Sequence, residues 1–274
     1  MSVLSNHINE LKATEAFDKQ SQVFDQLYGN DKIIHYKRER VREHILKHAP
    51  AEASMLELNC GTGEDALFFA GKGFQVHATD ISTGMLEQFE RKLDHDLNSK
   101  NISIEQCSFT QLQFLQNKGP FDYVYSNFGG LNCTSQLDNV LHSLNAIVKP
   151  NGIVTLVIIS KFCLWEFLLF FKGKLKMAFR RFFAAKGRSA HIEGTFFKCW
   201  YYSPSFVKKH MGNEFELLSL EGLCAIVPPS SFEHFAEKHP NLFATLRSKE
   251  DKLKNKWPWN MIGDYFIITF RKKN

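Results

Sequence analysis

The 274-residue chain is easier to place by what it lacks. Its longest apolar run, Phe162 to Phe171, is about half of what a membrane-spanning helix needs and carries Glu166. The first residues, M-S-V-L-S-N-H-I-N-E-L-K, have no basic flank leading into an apolar stretch, so no secretory signal is expected. Six cysteines are scattered without a C-x-x-C pair or a histidine at ligand spacing. That excludes a zinc-finger-like centre, and the thiols read as reduced core residues of a cytoplasmic protein. Charge of one sign is also scarce. Against 34 Lys and Arg stand 29 Asp and Glu, and a net charge of +5 does not by itself indicate a nucleic-acid partner. Internal repeats and low-complexity tracts are absent.

What remains is an ordinary globular composition, 44% hydrophobic, enough to fill the core of one enlarged α/β domain. Residues 8 to 48 read as polar helix ending at Ala49-Pro50, where proline disfavours continuation. Short β-like runs then alternate with helical segments. The strands are expected at Ser54 to Leu58, Phe74 to Thr79, Ile102 to Cys107, Phe121 to Ser126 and Ile153 to Ile159. Helices are expected to begin near Glu64, Thr83, Phe109 and Ser135. This alternation calls for a mainly parallel sheet with right-handed crossovers. Two late strands, Phe215 to Leu220 and Tyr265 to Arg271, are expected to form an edge split by a long excursion.

The stretch M-L-E-L-N-C-G-T-G-E-D-A (55 to 66) carries the first chemical signal. A strand running into Gly-x-Gly and then a helix lets the backbone approach a ligand, while the helix start presents unpaired N–H groups. Gly61 and Gly63 also fit the dinucleotide pattern, but Glu64 and Asp65 would repel a pyrophosphate at that helix start. A ligand without phosphate and with a positive centre fits better. Asp80, at the end of the second strand, can accept both hydroxyls of a ribose, a requirement common to several nucleoside cofactors.

Four stretches taken together resemble the class I S-adenosylmethionine-dependent methyltransferases of the small-molecule type: L-E-L-N-C-G-T-G (56 to 63), T-D-I-S-T-G-M-L (79 to 86), F-D-Y-V-Y-S-N-F (121 to 128) and L-N-A-I-V-K-P-N-G (144 to 152). The resemblance implies a Rossmann-like seven-stranded sheet in order 3-2-1-4-5-7-6 with the last strand antiparallel. It implies S-adenosylmethionine as cofactor and S-adenosylhomocysteine as product. In this reading residues 1–50 form an N-terminal helical cap and 51–274 the methyltransferase domain, with a substrate-lid insertion at about 161–202. Glu57 would orient the methionine end of the cofactor, Gly61 and Gly63 the close-approach loop, and Asp80 the ribose, with Ile81 and Met85 beside the adenine. Ser108 and Phe109 match adenine-contact positions, and Asn127 and Phe128 lie near methionine and substrate. Tyr28 sits where relatives place an aromatic that closes over the cofactor. Two positions depart from the family pattern. Asn59 stands where a glycine is usual, and Ser108 where an acid is common.

The resemblance implies methyl transfer to a small, fairly hydrophobic acceptor such as a phenol, quinone, polyketide or lipid-like molecule, with O-methylation favoured. His191 and His35 are the candidate bases for an acceptor hydroxyl. S-N-F-G-G (126 to 130) replaces the Pro-Pro-aromatic signature of enzymes that methylate nucleic-acid amines, so no nucleic-acid acceptor is expected. No metal site is expected either. The apolar and basic segment 161–188 reads as a helix pair broken at Gly173, suited to shielding a hydrophobic acceptor or touching a membrane surface. Trp165, Trp200, Tyr201 and Tyr202 are the candidate pocket wall. The rival readings are an NAD-dependent oxidoreductase, for which no Tyr-x-x-x-Lys or phosphate-compatible turn is evident, and a noncatalytic S-adenosylmethionine-binding module.

Overall fold

The strands Ser54–Leu58, Gln75–Asp80, Phe121–Ser126 and Val148–Ile159 are buried on both faces over most of their length, the pattern that parallel sheets require, while the edge strand Ile102–Gln106 is only partly buried. The computed structural model describes residues 3–232 and 234–274, so residues 1 and 2 of the expected cap lie outside the described residues. Helices α1 (Val3–Tyr28) and α2 (Lys32–His48) come first. They are separated at Asp31, whose carboxylate caps α2 by accepting the N–H groups of Ile33 and Ile34 at 2.7 and 2.9 Å. Then follow β1 (Ser54–Leu58), α3 (Glu64–Ala70), β2 (Gln75–Asp80), α4 (Thr83–Leu93), β3 (Ile102–Gln106), β4 (Phe121–Ser126), α5 (Leu137–Ile147) and β5 (Val148–Ile159). A 3-10 turn, Phe109–Phe114, stands where an α-helix was expected, with a non-helical break at Gln111.

The central sheet has the order β3-β2-β1-β4-β5-β9-β8, where β8 is Phe215–Leu223 and β9 is Tyr265–Lys272. β9 runs antiparallel to both of its neighbours. With β8 and β9 as its sixth and seventh strands, this is the order expected from the sequence. Helix α8 (Pro204–Met211) precedes β8, and α9 (Phe235–Lys238) and α10 (Pro240–Leu253) fill the excursion before β9. One face of the sheet packs against α5 and α8 through residues such as Leu141, Leu144, Val207 and Met211. The other packs against α2, α3, α4 and α10 through Tyr36, Phe69, Phe89 and Phe243. All six cysteines are free thiols.

The insertion differs from its sequence reading. Its helices are single turns, α6 (Leu164–Leu168) and α7 (Leu175–Ala178), and they do part at Gly173, where φ is +73°. The aromatic stretch beyond them becomes a two-stranded hairpin, β6 (Arg188–Ile192) and β7 (Thr195–Cys199). Its turn, Glu193-Gly194, has both residues at positive φ, the hand that matches strand twist in a two-residue hairpin. The hairpin packs on α1. Phe17 and Phe197 rings lie 5.8 Å apart, and the Asn9 amide donates to the carbonyls of Cys133 and Lys198 at 2.9 and 3.1 Å. Buried Arg181 fastens the helical part by donating to the carbonyls of Ser160 and Asp264 at 2.9 and 3.0 Å and to the Glu166 carboxylate. The trio Cys163, Glu166 and Asp264 has metal-ligand spacing, but Arg181 already supplies the positive charge to both carboxylates.

Glu250 on α10 is a second internal tie. Its buried carboxylate accepts from Tyr36 Oη at 2.8 Å and from the backbone N–H groups of Cys224, Ile226 and Val227 at 2.9, 2.7 and 2.9 Å. It thereby joins α2, α10 and the segment after β8. Glu250→Ala leaves these donors unpaired in a dry interior and is expected to cost about 3 to 5 kcal/mol, read as a lowered urea midpoint.

Candidate active site

Strand order reverses between β1 and β4, and crevices at such a switch point, outside the carboxyl ends of the strands, are where open α/β sheets bind ligands. A cavity of about 360 Å³ opens there. Its floor is the loop after β1. Asn59, Gly61 and Gly63 all take positive φ, at +51°, +56° and +77°. The two glycines serve different ends. A β-carbon on Gly63 would meet the Phe89 ring at 2.2 Å, whereas one on Gly61 meets nothing within 4 Å and would project into open space.

Asn59 is the residue that departs from the family glycine, and the structure supplies a reason. Asparagine tolerates the left-handed region better than most residues, so the turn survives without glycine. Its side chain then bridges strands: Asn59 Oδ1 accepts from Ser126 Oγ at 2.6 Å, and Nδ2 donates to the Asn127 carbonyl at 3.0 Å. Gly130 leaves the space for it, since a β-carbon there would lie 2.5 Å from the Asn59 amide carbon. Phe128 also holds a positive φ of +51°, fixed by its N–H donating to Asn127 Oδ1 at 2.7 Å. Two left-handed non-glycine residues thus flank one cavity, a form of strain that persists only where the surroundings fix it.

The second strand delivers Asp80. Its carboxylate accepts the N–H groups of Gly61 and Ser82, both at 2.9 Å, so it pins the glycine loop. Burial raises its pKa, opposed by the N–H groups of Ser82, Gly61 and Ile81. Glu57 is buried and accepts from Tyr125 Oη at 3.0 Å. Burial and the nearby Asp65 push its pKa well above the carboxylate range. Asp65 itself pairs with Arg42 at 2.7 Å and Arg38 at 3.4 Å and accepts from Asn127 Nδ2 at 2.8 Å. Burial opposes its charge, but Arg38 and Arg42 hold its pKa below the usual value. Glu64 pairs with Lys92 at 2.6 Å. The two acids at the helix start are therefore neutralised, and repulsion of a phosphate there is weaker than the sequence suggests. The carboxylates facing the cavity with only hydroxyl and backbone donors are Glu57, Asp80 and, from α1, Glu10.

The cavity brings together Glu57, Asn59, Gly61, Asp80, Ile81 and Met85, and adds Phe109, Asn127, Phe128 and Tyr28. Gly63 and Ser108 sit just behind its wall. Ser108 caps the 3-10 turn by accepting from the Thr110 N–H at 3.1 Å, and its hydroxyl donates to Glu10. Glu10, from α1, lines the cavity and also accepts from Thr110 Oγ1 at 2.8 Å. The acid missing after β3 is thus replaced by one 98 residues earlier.

Other expected site residues lie elsewhere. His35 is exposed and bonds the Gly29 carbonyl. His191 is exposed on β6, stacked on Phe196 with ring centres 4.3 Å apart. Its neighbour Ile192 lines the cavity, and successive strand residues face opposite sides. Trp200 and Tyr202 are buried in the core, Tyr201 stacks on Arg181 at 5.1 Å and Trp165 lies edge-on to Phe232 at 5.3 Å. None of these four lines the cavity: the chain after β7 turns Trp200 and Tyr202 into the core and Tyr201 toward Arg181, and Trp165 on α6 packs against Phe232. The sequence reading missed Glu10, Phe17, Phe24, Lys37, Arg38 and Tyr265. The first five lie on helices whose polar pattern looked like a solvated cap.

Residues 55–152 match the family model described as a methyltransferase domain. A demethylmenaquinone methyltransferase from Bacillus licheniformis is 28% identical over 146 residues, which cover 52% of this chain and 60% of that protein. The chain spans under two thirds of the length of such curated relatives. Among solved structures, the CcbJ methyltransferase from Streptomyces caelestis aligns with a TM-score of 0.64 at 15% identity, over 94% of this chain and 98% of that one. The 1,6-didemethyltoxoflavin-N1-methyltransferase from Burkholderia thailandensis, solved with 1,6-didemethyltoxoflavin and S-adenosylhomocysteine bound, gives 0.58 at 14% identity over 98% and 91%. The fold is that of the class I S-adenosylmethionine-dependent methyltransferases. Residues 55–152, which match the methyltransferase-domain model, run from β1 into β5 of that fold.

The two glycines should separate on substitution. Gly63→Ala forces a β-carbon into Phe89 at positive φ and is expected to destabilise the protein by about 2 to 4 kcal/mol in urea unfolding. Gly61→Ala should cost only about 1 to 2 kcal/mol in stability, from its φ, while obstructing the cavity and any ligand in it.

Proposed function

We propose that the protein transfers a methyl group from S-adenosylmethionine to the oxygen of a small, fairly hydrophobic acceptor. The observation that carries this reading is the single cavity shared by the Gly61 loop, Asp80 and Glu57 on one side and the aromatic residues Phe17, Phe24, Tyr28 and Phe128 on the other. Asp80 would hold the ribose hydroxyls, and Glu57 the methionine amine, whose positive charge would favour ionised Glu57. Arg38 would face the methionine carboxylate. Ile81, Met85 and Phe109 would enclose the adenine, with Glu10 available to its amine. When bound, the sulfonium supplies an already activated methyl group. The protein's part is then to align the acceptor and keep water out, and α1 provides the roof that does so.

The acceptor side is apolar and aromatic, which suits a ring of the phenol or quinone type. Curated relatives named demethylmenaquinone methyltransferases are in keeping with that. No histidine lines the cavity among the described residues, so the reading assigns no histidine base and leaves His35 and His191 outside the chemistry. Calorimetry should show binding of S-adenosylhomocysteine and not of NAD. Asp80→Ala should weaken that binding by about 1 to 3 kcal/mol through lost hydrogen bonds and a freed loop. Preferential NAD binding would sink the assignment. Cofactor binding with no methylated product from any phenol, quinol or enol would instead favour a noncatalytic binding module.

The lid adds a partner to this reading. Phe171 and Phe183 are 76% and 79% exposed, and Leu175 and Met177 are exposed beside them. Lys172, Lys174, Lys176 and Lys186 surround them, while the segment's one acid, Glu166, is buried and paired with Arg180 and Arg181. Among the described residues no helix is long and apolar enough to cross a membrane. An exposed aromatic patch ringed by lysines suits the interface of an anionic bilayer, where a cytoplasmic enzyme would meet a lipid-soluble acceptor. The protein should sediment with phosphatidylglycerol vesicles and less with phosphatidylcholine ones, and Phe171→Asp with Phe183→Asp should release it. Equal recovery on both lipids, or no effect of the double variant, would refute the contact.

A further inference from the structure

Lys37 stands apart from the other buried lysine and arginine side chains among the described residues. It is 3% exposed, yet among the described residues it has no carboxylate within ion-pair distance. Buried Arg40 and Arg181, by contrast, each meet a glutamate. The Lys37 ammonium instead lies 4.9 Å from the centre of the Tyr265 ring and 5.6 Å from that of Phe128, and donates to Ser230 Oγ at 3.3 Å. All four residues line the cavity. Ring faces and one long hydroxyl contact do not replace a counter-ion, and a buried charge without one is costly unless something else completes it. Beyond these contacts, what Lys37 faces among the described residues is the cavity it lines.

Two ligand groups could complete it, the methionine carboxylate of the cofactor or an oxygen of the acceptor. Position separates them. Arg38 pairs with Asp65 in the first turn of α3, beside the glycine loop. Lys37, the preceding residue of α2, shares the Phe128 ring with Arg38 but meets Tyr265 at the start of β9 and Ser230 beyond β8 rather than a residue of α3. Burial opposes the charge on Lys37, but Tyr265, Cys224, Asp264 and Asp31 outweigh it and keep its pKa above the usual lysine value. The group is therefore a fixed cation and no base.

We propose that Lys37, with Ser230 and Tyr265 beside it, is an oxyanion-binding subsite that holds the acceptor through an acidic hydroxyl, phenolic or enolic, in its ionised form. This rests on the methyltransferase reading above. The hydroxyl gives its proton to water on binding, since the ammonium stabilises the anion that remains. In the transfer the oxyanion forms the new C–O bond as the methyl–sulfur bond breaks. Sulfonium and oxyanion charges vanish together, leaving a neutral ether and a neutral thioether. A catalytic base is then unnecessary, which agrees with a cavity free of histidine among the described residues. Acceptors whose hydroxyl ionises near neutrality are favoured over alcohols.

The test uses 4-nitrophenol, whose anion is yellow, and its neutral analogue 4-nitrotoluene, on the full chain saturated with S-adenosylhomocysteine. The wild type should bind nitrophenol more tightly than nitrotoluene and raise the nitrophenolate absorbance at fixed pH. Lys37→Met should weaken nitrophenol binding by about tenfold to a hundredfold and abolish the absorbance change, while S-adenosylhomocysteine affinity stays within about twofold. Lys37→Arg should restore most of the preference, which a misfolded protein could not do. Equal binding of the two probes by the wild type, or an unchanged preference in Lys37→Met, overturns the subsite. A selective loss of S-adenosylhomocysteine affinity in Lys37→Met overturns it as well and hands the lysine to the cofactor. Failure of the wild type to bind S-adenosylhomocysteine at all would fall on the underlying function instead.

Discussion

One carboxylate organises the site. Asp65 accepts from Arg42 of α2 and from Asn127 after β4 and forms an ion pair with Arg38 of α2, while its own backbone belongs to the helix that follows the glycine loop. Three segments far apart in sequence are thus registered against one another at a buried point. Arg38 in turn stacks at 4.7 Å on Phe128, and the same helix turn presents Lys37. The cavity wall opposite the glycine loop therefore depends on a charge that the sequence offers only as the second of two acids after Gly63. Such pairs are costly to break from one side, because the surviving partner keeps its charge in a dry setting.

That arrangement also explains how much could be read beforehand. The strand order, the turn after β1 and the position of Asp80 were legible because each rests on a local pattern: an apolar run, a pair of glycines, an acid at a strand end. Asn59 was legible only as an irregularity, since its role needs Ser126 at the end of β4 and Gly130 in the turn beyond it. The hairpin β6–β7 escaped because its alternation is hidden. His191 and Phe196 are exposed, whereas Ile192 and Phe197 face inward, and aromatic residues occupy both faces. The helical part of the insertion was legible at its break, Gly173, but not in its extent.

The helices α1 and α2 were the least transparent part. Their hydrophobic positions are diluted by polar ones, since part of each helix covers a cavity rather than a core. Glu10 and Lys37 look like solvated surface charges in sequence, and only tertiary position reveals that one replaces an acid absent after β3 and the other has no internal counter-ion among the described residues. The candidate histidines and the aromatic cluster illustrate the converse. Residue types suited to chemistry were taken up by packing and solvent, and the cavity drew its polar groups from elsewhere.

The way α1 is fastened has a consequence for how molecules reach the chamber. Asn6 and Asn9 tie it to residues 133 to 136 and 198 through neutral amide hydrogen bonds, and no ion pair joins it to that rim among the described residues. Each such bond is nearly matched by one to water. The N-terminal end of the roof can therefore loosen by hydration, one amide after another, while its C-terminal end stays held by Asp18, which accepts from Ser82 Oγ and the Gly84 N–H at 2.6 and 2.9 Å, and by Asp25, paired with Lys92 at 2.7 Å. Entry to the chamber becomes a local event at one end of one helix, and the remainder of the chamber is left standing for the next occupant.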